Sequence, residues 1–173
     1  PISGIVVTPY GHGVKCSNIE VVEAAHPLPD ENGLLASKKI VTALKDLTFD
    51  DLVIALVCGG GSALLPAPPE SLNLQDEIDL NKALLSSGLS ISKMNLIRKH
   101  VSTVKGGKLG LACKPAKVIT LVLSDIPGDD LHQVASGPTI ADDSTREDAL
   151  NEIALNNLKL PKNIMQHLQS SQA

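Results

Sequence analysis

Four short runs of apolar, β-branched residues recur along the chain, at 2–8, 19–24, 52–58 and 118–124. The last two, Leu52 to Cys58 and Val118 to Ser124, are almost continuously hydrophobic, which predicts buried parallel strands covered on both faces. Between the runs the period lengthens. Glu31 to Leu47 carries Leu34, Leu35, Ile40, Val41 and Leu44 on one side, and helix-length patterns also cover roughly 76–87 and 91–105. Strands alternating with helices predict βαβ units, hence an α/β fold: a three-layer α/β/α sandwich around a largely parallel sheet. Pro27 and Pro29, Gly59 to Gly61, Pro66 to Pro69, Gly106 with Gly107, and Pro127 with Gly128 punctuate it. Near the end, Ser144 or Thr145 caps a helix running to about Leu158, Pro161 stops it, and a short helix follows around Ile164 to Leu168.

The polar positions add candidate chemistry. In the 91–105 segment, Ile91, Met94, Ile97, Val101 and Val104 predict a packed face, while Asn95, Arg98, Ser102 and Lys105 recur on another. Arg98 can fork onto a carboxylate or phosphate, and Lys105 with Lys108 flanks a glycine pair where backbone can approach a ligand. A plain solvated helix face is the competing reading. The strand at 52–58 runs into Gly59, Gly60, Gly61, Ser62 and Ala63, whose unhindered N–H groups could cradle an anion. Known phosphate and nucleophile motifs do not match: Leu64 occupies the third glycine of G-x-G-x-x-G and the last of G-x-S-x-G. A turn chosen for packing remains open, but its place at a strand's carboxyl end, where open α/β sheets bind ligands, favours function.

Ser124 ends the last strand and Asp125 follows it, with Asp129 and Asp130 close behind. Clustered carboxylates suit Mg²⁺, which uses one or two of them plus nucleotide phosphates, although Asp-rich turns are also routinely just solvated. Loop histidines His12 and His26, and His100 in the basic segment, read more readily as packing than as catalytic residues.

Composition narrows the class. With 173 residues and 43% apolar content the chain fits one domain with a sizeable core. Residues 1–173 show neither a signal-peptide pattern nor an apolar stretch of membrane-spanning length, which predicts a soluble piece. Cys16, Cys58 and Cys113 lack C-x-x-C spacing, which points to free thiols in a reducing cytoplasm. A net charge of −4 with Tyr10 and Phe49 as the sole aromatics disfavours nucleic acid as a partner. Charges are uneven: every one between 80 and 124 is Lys or Arg, whereas those from 125 to 152 are acidic apart from Arg146. That predicts either solvated faces or an anion site beside a metal-friendly one. Pro1 in place of Met, directly before an apolar run, predicts a piece of a longer polypeptide.

Taken together, Tyr10-Gly11-His12, Glu23 to Asp30, Gly59 to Leu65, Met94-Asn95, Arg98 to Ser102, Lys105-Gly106-Gly107 and Ser124 to Thr139 resemble the bacterial glycerate kinase family. Its members also carry tartrate-utilisation and hydroxypyruvate reductase names. These blocks follow the family's order across nearly the whole chain. The resemblance implies a Rossmann-like N-terminal domain of a two-domain enzyme, residues 1–173 lacking its opening segment and its C-terminal domain. It implies a site in the cleft between domains, where ATP phosphorylates D-glycerate, with 2-phosphoglycerate the favoured product, in the cytoplasm. Pro9 and Lys93 depart from residues common in relatives. The resulting expectation places phosphate or substrate at Gly59, Gly60, Gly61, Ser62, Ala63, Asn95 and Ser124. Arg98, Lys105 and Asp125 are the expected catalytic residues, and Asp125 with Asp129 the expected Mg²⁺ ligands. Partners are a hydroxy acid, a nucleotide and the absent domain, with room for a homodimer. Alone, the piece should bind without turning over. The rivals are an NAD(P)H-dependent hydroxypyruvate reductase, which should show the full dinucleotide fingerprint, and a non-catalytic module sensing an anionic metabolite.

Overall fold

The computed structural model describes residues 2–170; Pro1 lies outside them. The chain runs β1 (Gly4–Pro9), β2 (Ile19–Ala24), α1 (Glu31–Ala43), β3 (Leu52–Cys58), α2 (Gly61–Leu64), α3 (Leu74–Ser86), α4 (Ile91–Lys99), α5 (Lys108–Ala112), β4 (Lys117–Leu123), α6 (Arg146–Leu155) and α7 (Lys162–Gln169), with a 3-10 turn at Val134–Ser136 before α6. The class is α/β. Among the described residues every strand pairing is parallel, in two pairs: β1 with β2 from Gly4↔Ile19 to Pro9↔Ala24, and β3 with β4 from Leu52↔Lys117 to Cys58↔Leu123.

Local chemistry sets the helix ends. Asp30 caps α1 by accepting from Gly33 N at 2.9 Å. Asn73 with Asp76, and Thr145 with Asp148, form reciprocal capping boxes at α3 and α6. The 91–105 pattern gives a shorter helix than its period suggests. His100 caps α4, and Gly106 and Gly107 then take left-handed conformations in which a side chain would be strained.

The main hydrophobic cluster is helical. Leu80 and Leu84 of α3, Ile97 of α4, Ala149 and Ile153 of α6, and Ile164 and Leu168 of α7 close on one another together with Leu72 and Val101. The sheet differs from expectation on one side. Along β3 and β4 exposure alternates, leaving Leu52, Ile54, Leu56, Ile119, Leu121 and Leu123 open to solvent; Leu56 is 69% exposed and Leu123 75%. Unbroken hydrophobicity reports that both faces favour cover, and the described residues half-bury one of them.

Candidate functional site

Because β3 and β4 run parallel in register, the segments that follow them emerge at the same edge. Asp125 leans over the glycine turn so closely that a β-carbon at Gly59 would overlap its carboxylate. A β-carbon at Gly60 would lie 3.2 Å from His26 Nε2, and one at Gly61 2.6 Å from the Ala135 β-carbon. The ends of β2, β3 and β4 and the turn at Val134–Ser136 thus converge, and the glycines are required by that closeness. Gly60 also holds φ +78°.

From this edge a chain of hydrogen bonds runs inward. Ser62 Oγ lies 2.6 Å from Ser136 Oγ. Ser136 Oγ donates to Asn95 Oδ1 at 3.0 Å, and Arg98 Nη1 donates to the same oxygen at 3.0 Å. Arg98 Nε donates to Asn81 Oδ1 at 2.9 Å, and Asn95 Nδ2 donates to Gln133 O at 2.9 Å. Ser136 is 0% exposed and Arg98 8%. Ala135 and Ser136 both adopt left-handed φ, +52° and +61°, a costly conformation for residues with a β-carbon, and one held here by the surrounding contacts.

The polar face of the 91–105 segment is therefore buried rather than solvated: Asn95, Arg98, Ser102 and Lys105 are all interior. Arg98 forks onto two amides instead of a carboxylate or phosphate. Burial pulls its guanidinium below the ordinary arginine range, opposed by the Glu77 carboxylate nearby. Lys105, expected as a catalytic cation, is interior and has a carboxylate partner of its own. Its ammonium donates to Glu77 Oε1 at 2.9 Å and to Leu65 O at 3.1 Å, while Glu77 Oε2 accepts from Ala67 N at 3.1 Å. This buried pair ties the backbone leaving α2 to α3.

Two ion pairs join the basic and acidic blocks, Lys93 with Glu152 at 2.6 Å and Lys99 with Asp142 at 2.9 Å. Ser124 folds back on its own turn, its Oγ exchanging hydrogen bonds with Ile126 N and O. Ala63 is buried within α2. Asp125, Asp129 and Asp130 are exposed, and Asp129 takes φ +51°. No group of three His, Cys, Asp or Glu among the described residues could hold a metal by itself. A cation shared with phosphates needs fewer carboxylates, and Asp125 makes no hydrogen bond among the described residues that would occupy it.

At the end of β1, Tyr10 donates to Asp30 Oδ2 at 2.6 Å and accepts from Asn32 at 3.0 Å. The bond to Asp30 raises the Tyr10 hydroxyl above its usual range. Burial acts to raise the Asp30 carboxyl, but the bonds from Tyr10 and Gly33 outweigh it and hold the group low. His100 is elsewhere, with Nε2 3.2 Å from Ser144 Oγ. His12 is exposed. Two residues outside the expected set sit at the edge, His26 and Ser136. The signals that could have found them are a histidine before Pro27 and the constrained Ser136-Gly137-Pro138 turn.

Fold and edge together define an α/β domain whose polar groups gather past the carboxyl ends of parallel strands, the place where such sheets take ligands. The chain belongs to the family described as a domain of unknown function, DUF4147, whose model matches residues 1–169. It is 52% identical over 161 residues to an Agrobacterium vitis protein provisionally named a hydroxypyruvate reductase, covering 93% of this chain and 37% of that protein. It is 40% identical over 168 residues to a glycerate 2-kinase of Pyrococcus horikoshii, covering 96% of this chain and 38% of the relative. The crystal structure of a Thermotoga maritima glycerate kinase superposes with a TM-score of 0.88 at 41% identity, over 96% of this chain and 40% of that one. The chain thus spans roughly two fifths of the length of these relatives. No helix among the described residues is long and apolar enough to cross a membrane.

Proposed function

We propose that the protein phosphorylates D-glycerate from ATP, with 2-phosphoglycerate as product, in the cytoplasm, at a cleft between this domain and a second one. The observation that carries this reading is the meeting of the Gly59–Ser62 turn with Asp125 at one sheet edge, backed by the buried hydrogen bonds from Ser136 to Arg98. The kinase names and the superposed kinase structure support it.

Phosphoryl transfer asks a protein mainly for positioning and charge neutralisation. The small residues Gly59, Gly60 and Gly61 let Asp125, His26 and Ala135 close on the turn, with Ala63 buried beneath it, and Arg98 adds a buried positive charge behind Asn95. Lys105 acts from beneath, by fixing the backbone after α2. Mg²⁺ accompanying the nucleotide would be held by Asp125, with Asp129 as a second carboxylate, and would supply neutralisation of phosphate charge. Ser124 shapes the turn that aims Asp125.

The Agrobacterium relative's name favours a second reading, reduction of hydroxypyruvate by a nicotinamide cofactor. Against it, Leu64 stands at the third fingerprint glycine, and the turn leads into a helix of 4 residues, where a dinucleotide fold places its pyrophosphate-binding helix. A paired assay on the intact protein separates them: ADP release with D-glycerate against NADH oxidation with hydroxypyruvate. The proposal expects the first without the second, and the reverse would establish the reductase.

A further inference from the structure

The bonds behind Ser62 have a direction, and it determines what Ser62 can offer a ligand. A guanidinium only donates. The amide atom of Asn95 that Arg98 Nη1 meets at 3.0 Å is therefore oxygen, and the opposite amide nitrogen accordingly faces the carbonyl of Gln133 at 2.9 Å. Asn95 Oδ1 only accepts, so the Ser136 hydroxyl at 3.0 Å must donate to it. A hydroxyl has one proton. Ser136 has thereby used its own, and the 2.6 Å contact with Ser62 is made by the Ser62 proton.

We infer that Ser62 presents only lone pairs to the site and binds a hydroxyl group of the substrate as a hydrogen-bond acceptor. This deepens the kinase reading and rests on it. Ser136 is wholly buried and Ser62 half-buried, so the relay starts inside, at Arg98, and ends at an oxygen within reach of ligand. A carboxylate or phosphate oxygen carries lone pairs too and is repelled there, so the anionic groups of the substrate and nucleotide bind elsewhere on the edge. A hydroxyl fits. A ketone at the same place offers no proton, which makes Ser62 a determinant of hydroxy acid over keto acid. Ser136, Asn95 and Arg98 are positioning residues that act through Ser62. The strained φ values at Ala135 and Ser136 fit that part, because they hold the Ser136 hydroxyl between its two partners.

The test uses the intact protein and its Ser62→Ala and Ser136→Ala variants. The ligands are D-glycerate and its two monofluoro analogues, in which one hydroxyl at a time becomes a fluorine that cannot donate. Dissociation constants come from calorimetry, and melting curves confirm that each variant folds. For the unaltered protein one of the analogues should bind about five- to tenfold more weakly than D-glycerate, the size of one hydrogen bond. Ser62→Ala should weaken D-glycerate by a similar factor and bring that analogue within about twofold of it. Ser136→Ala, which releases the Ser62 proton, should shrink the same preference. A hydroxyl preference that survives in Ser62→Ala overturns the proposal. So does a Ser62→Ala effect confined to the Mg²⁺ requirement, which would make the oxygen a metal ligand. ADP release with D-glycerate is followed in the same preparations. Turnover with an unchanged preference sinks this inference alone, whereas absence of turnover with D-glycerate sinks the kinase reading and the inference with it.

Discussion

The ends of β3 and β4 lie at the same edge and are built in opposite ways. Past β3, Ser62 joins a buried relay through Ser136 and Asn95 to Arg98, with each donor and acceptor assigned. Past β4, Ser124 hydrogen-bonds only within its own turn, and Asp125, Asp129 and Asp130 stand in solvent. Directional groups held in a low-dielectric interior recognise a partner by its proton. Exposed carboxylates adapt to a cation that brings water and phosphate ligands of its own. The glycine turn and the Asp125 turn meet where Gly59 leaves room for Asp125.

Substitutions on each side can break that contrast. The largest effect should come from beneath β3. Lys105→Ala strands the buried Glu77 carboxylate and should cost about 3–5 kcal/mol of stability, measured by urea unfolding. A loss of activity at unchanged stability would instead make Lys105 a catalytic residue. Next, Gly59→Ala should push Asp125 aside at a cost of about 1–3 kcal/mol and lower kcat/KM with D-glycerate. Gly128→Ala has open space around its β-carbon and meets only backbone strain of roughly 1 kcal/mol at φ +85°. Equal kinetic effects from the two would mean that the meeting of the turns is unimportant.

A pH scan gives a smaller effect, confined to the packed interior. Burial, foremost, pulls both His100 and His167 below the ordinary imidazole range. Groups depressed in the folded state bind protons more readily when unfolded. Stability should therefore be complete above about pH 6.5 and decline as pH falls through that value towards the folded-state pKa. Calorimetric melting between pH 7.5 and 5.5 should show the decline, and His100→Gln with His167→Gln should flatten it. Smallest in stability is Asp125→Asn, within about 0.5 kcal/mol for an exposed position, yet it should raise the Mg²⁺ concentration for half-maximal rate. A changed melting temperature with no change in metal dependence would make Asp125 a turn residue only.

Much of the fold was legible in the chain. The runs at Ile19–Ala24 and Leu52–Cys58 became strands with those bounds, because a β-branched run bounded by breakers leaves little choice. Thr145 capped its helix. Periodicity could not tell a solvated polar face from a buried one: Asn95 and Arg98 recur at helical spacing in either case, and only tertiary packing puts Asn81, Ser136 and Gln133 opposite them. Ser136 meets Ser62 across a separation of 74 residues, a distance over which no local pattern speaks. Among the described residues one face of β3 and β4 stays open for a related reason, since hydrophobicity states a need without supplying the partner.

The most direct measurement is the crystal structure of the intact protein with D-glycerate and a non-hydrolysable ATP analogue. A glycerate hydroxyl is expected within hydrogen-bonding distance of Ser62 Oγ, with the ligand carboxylate and phosphates away from that oxygen and Asp125 facing the nucleotide's cation. Glycerate bound away from the Gly59–Ser62 turn, or an anionic oxygen seated on Ser62 Oγ, would contradict it.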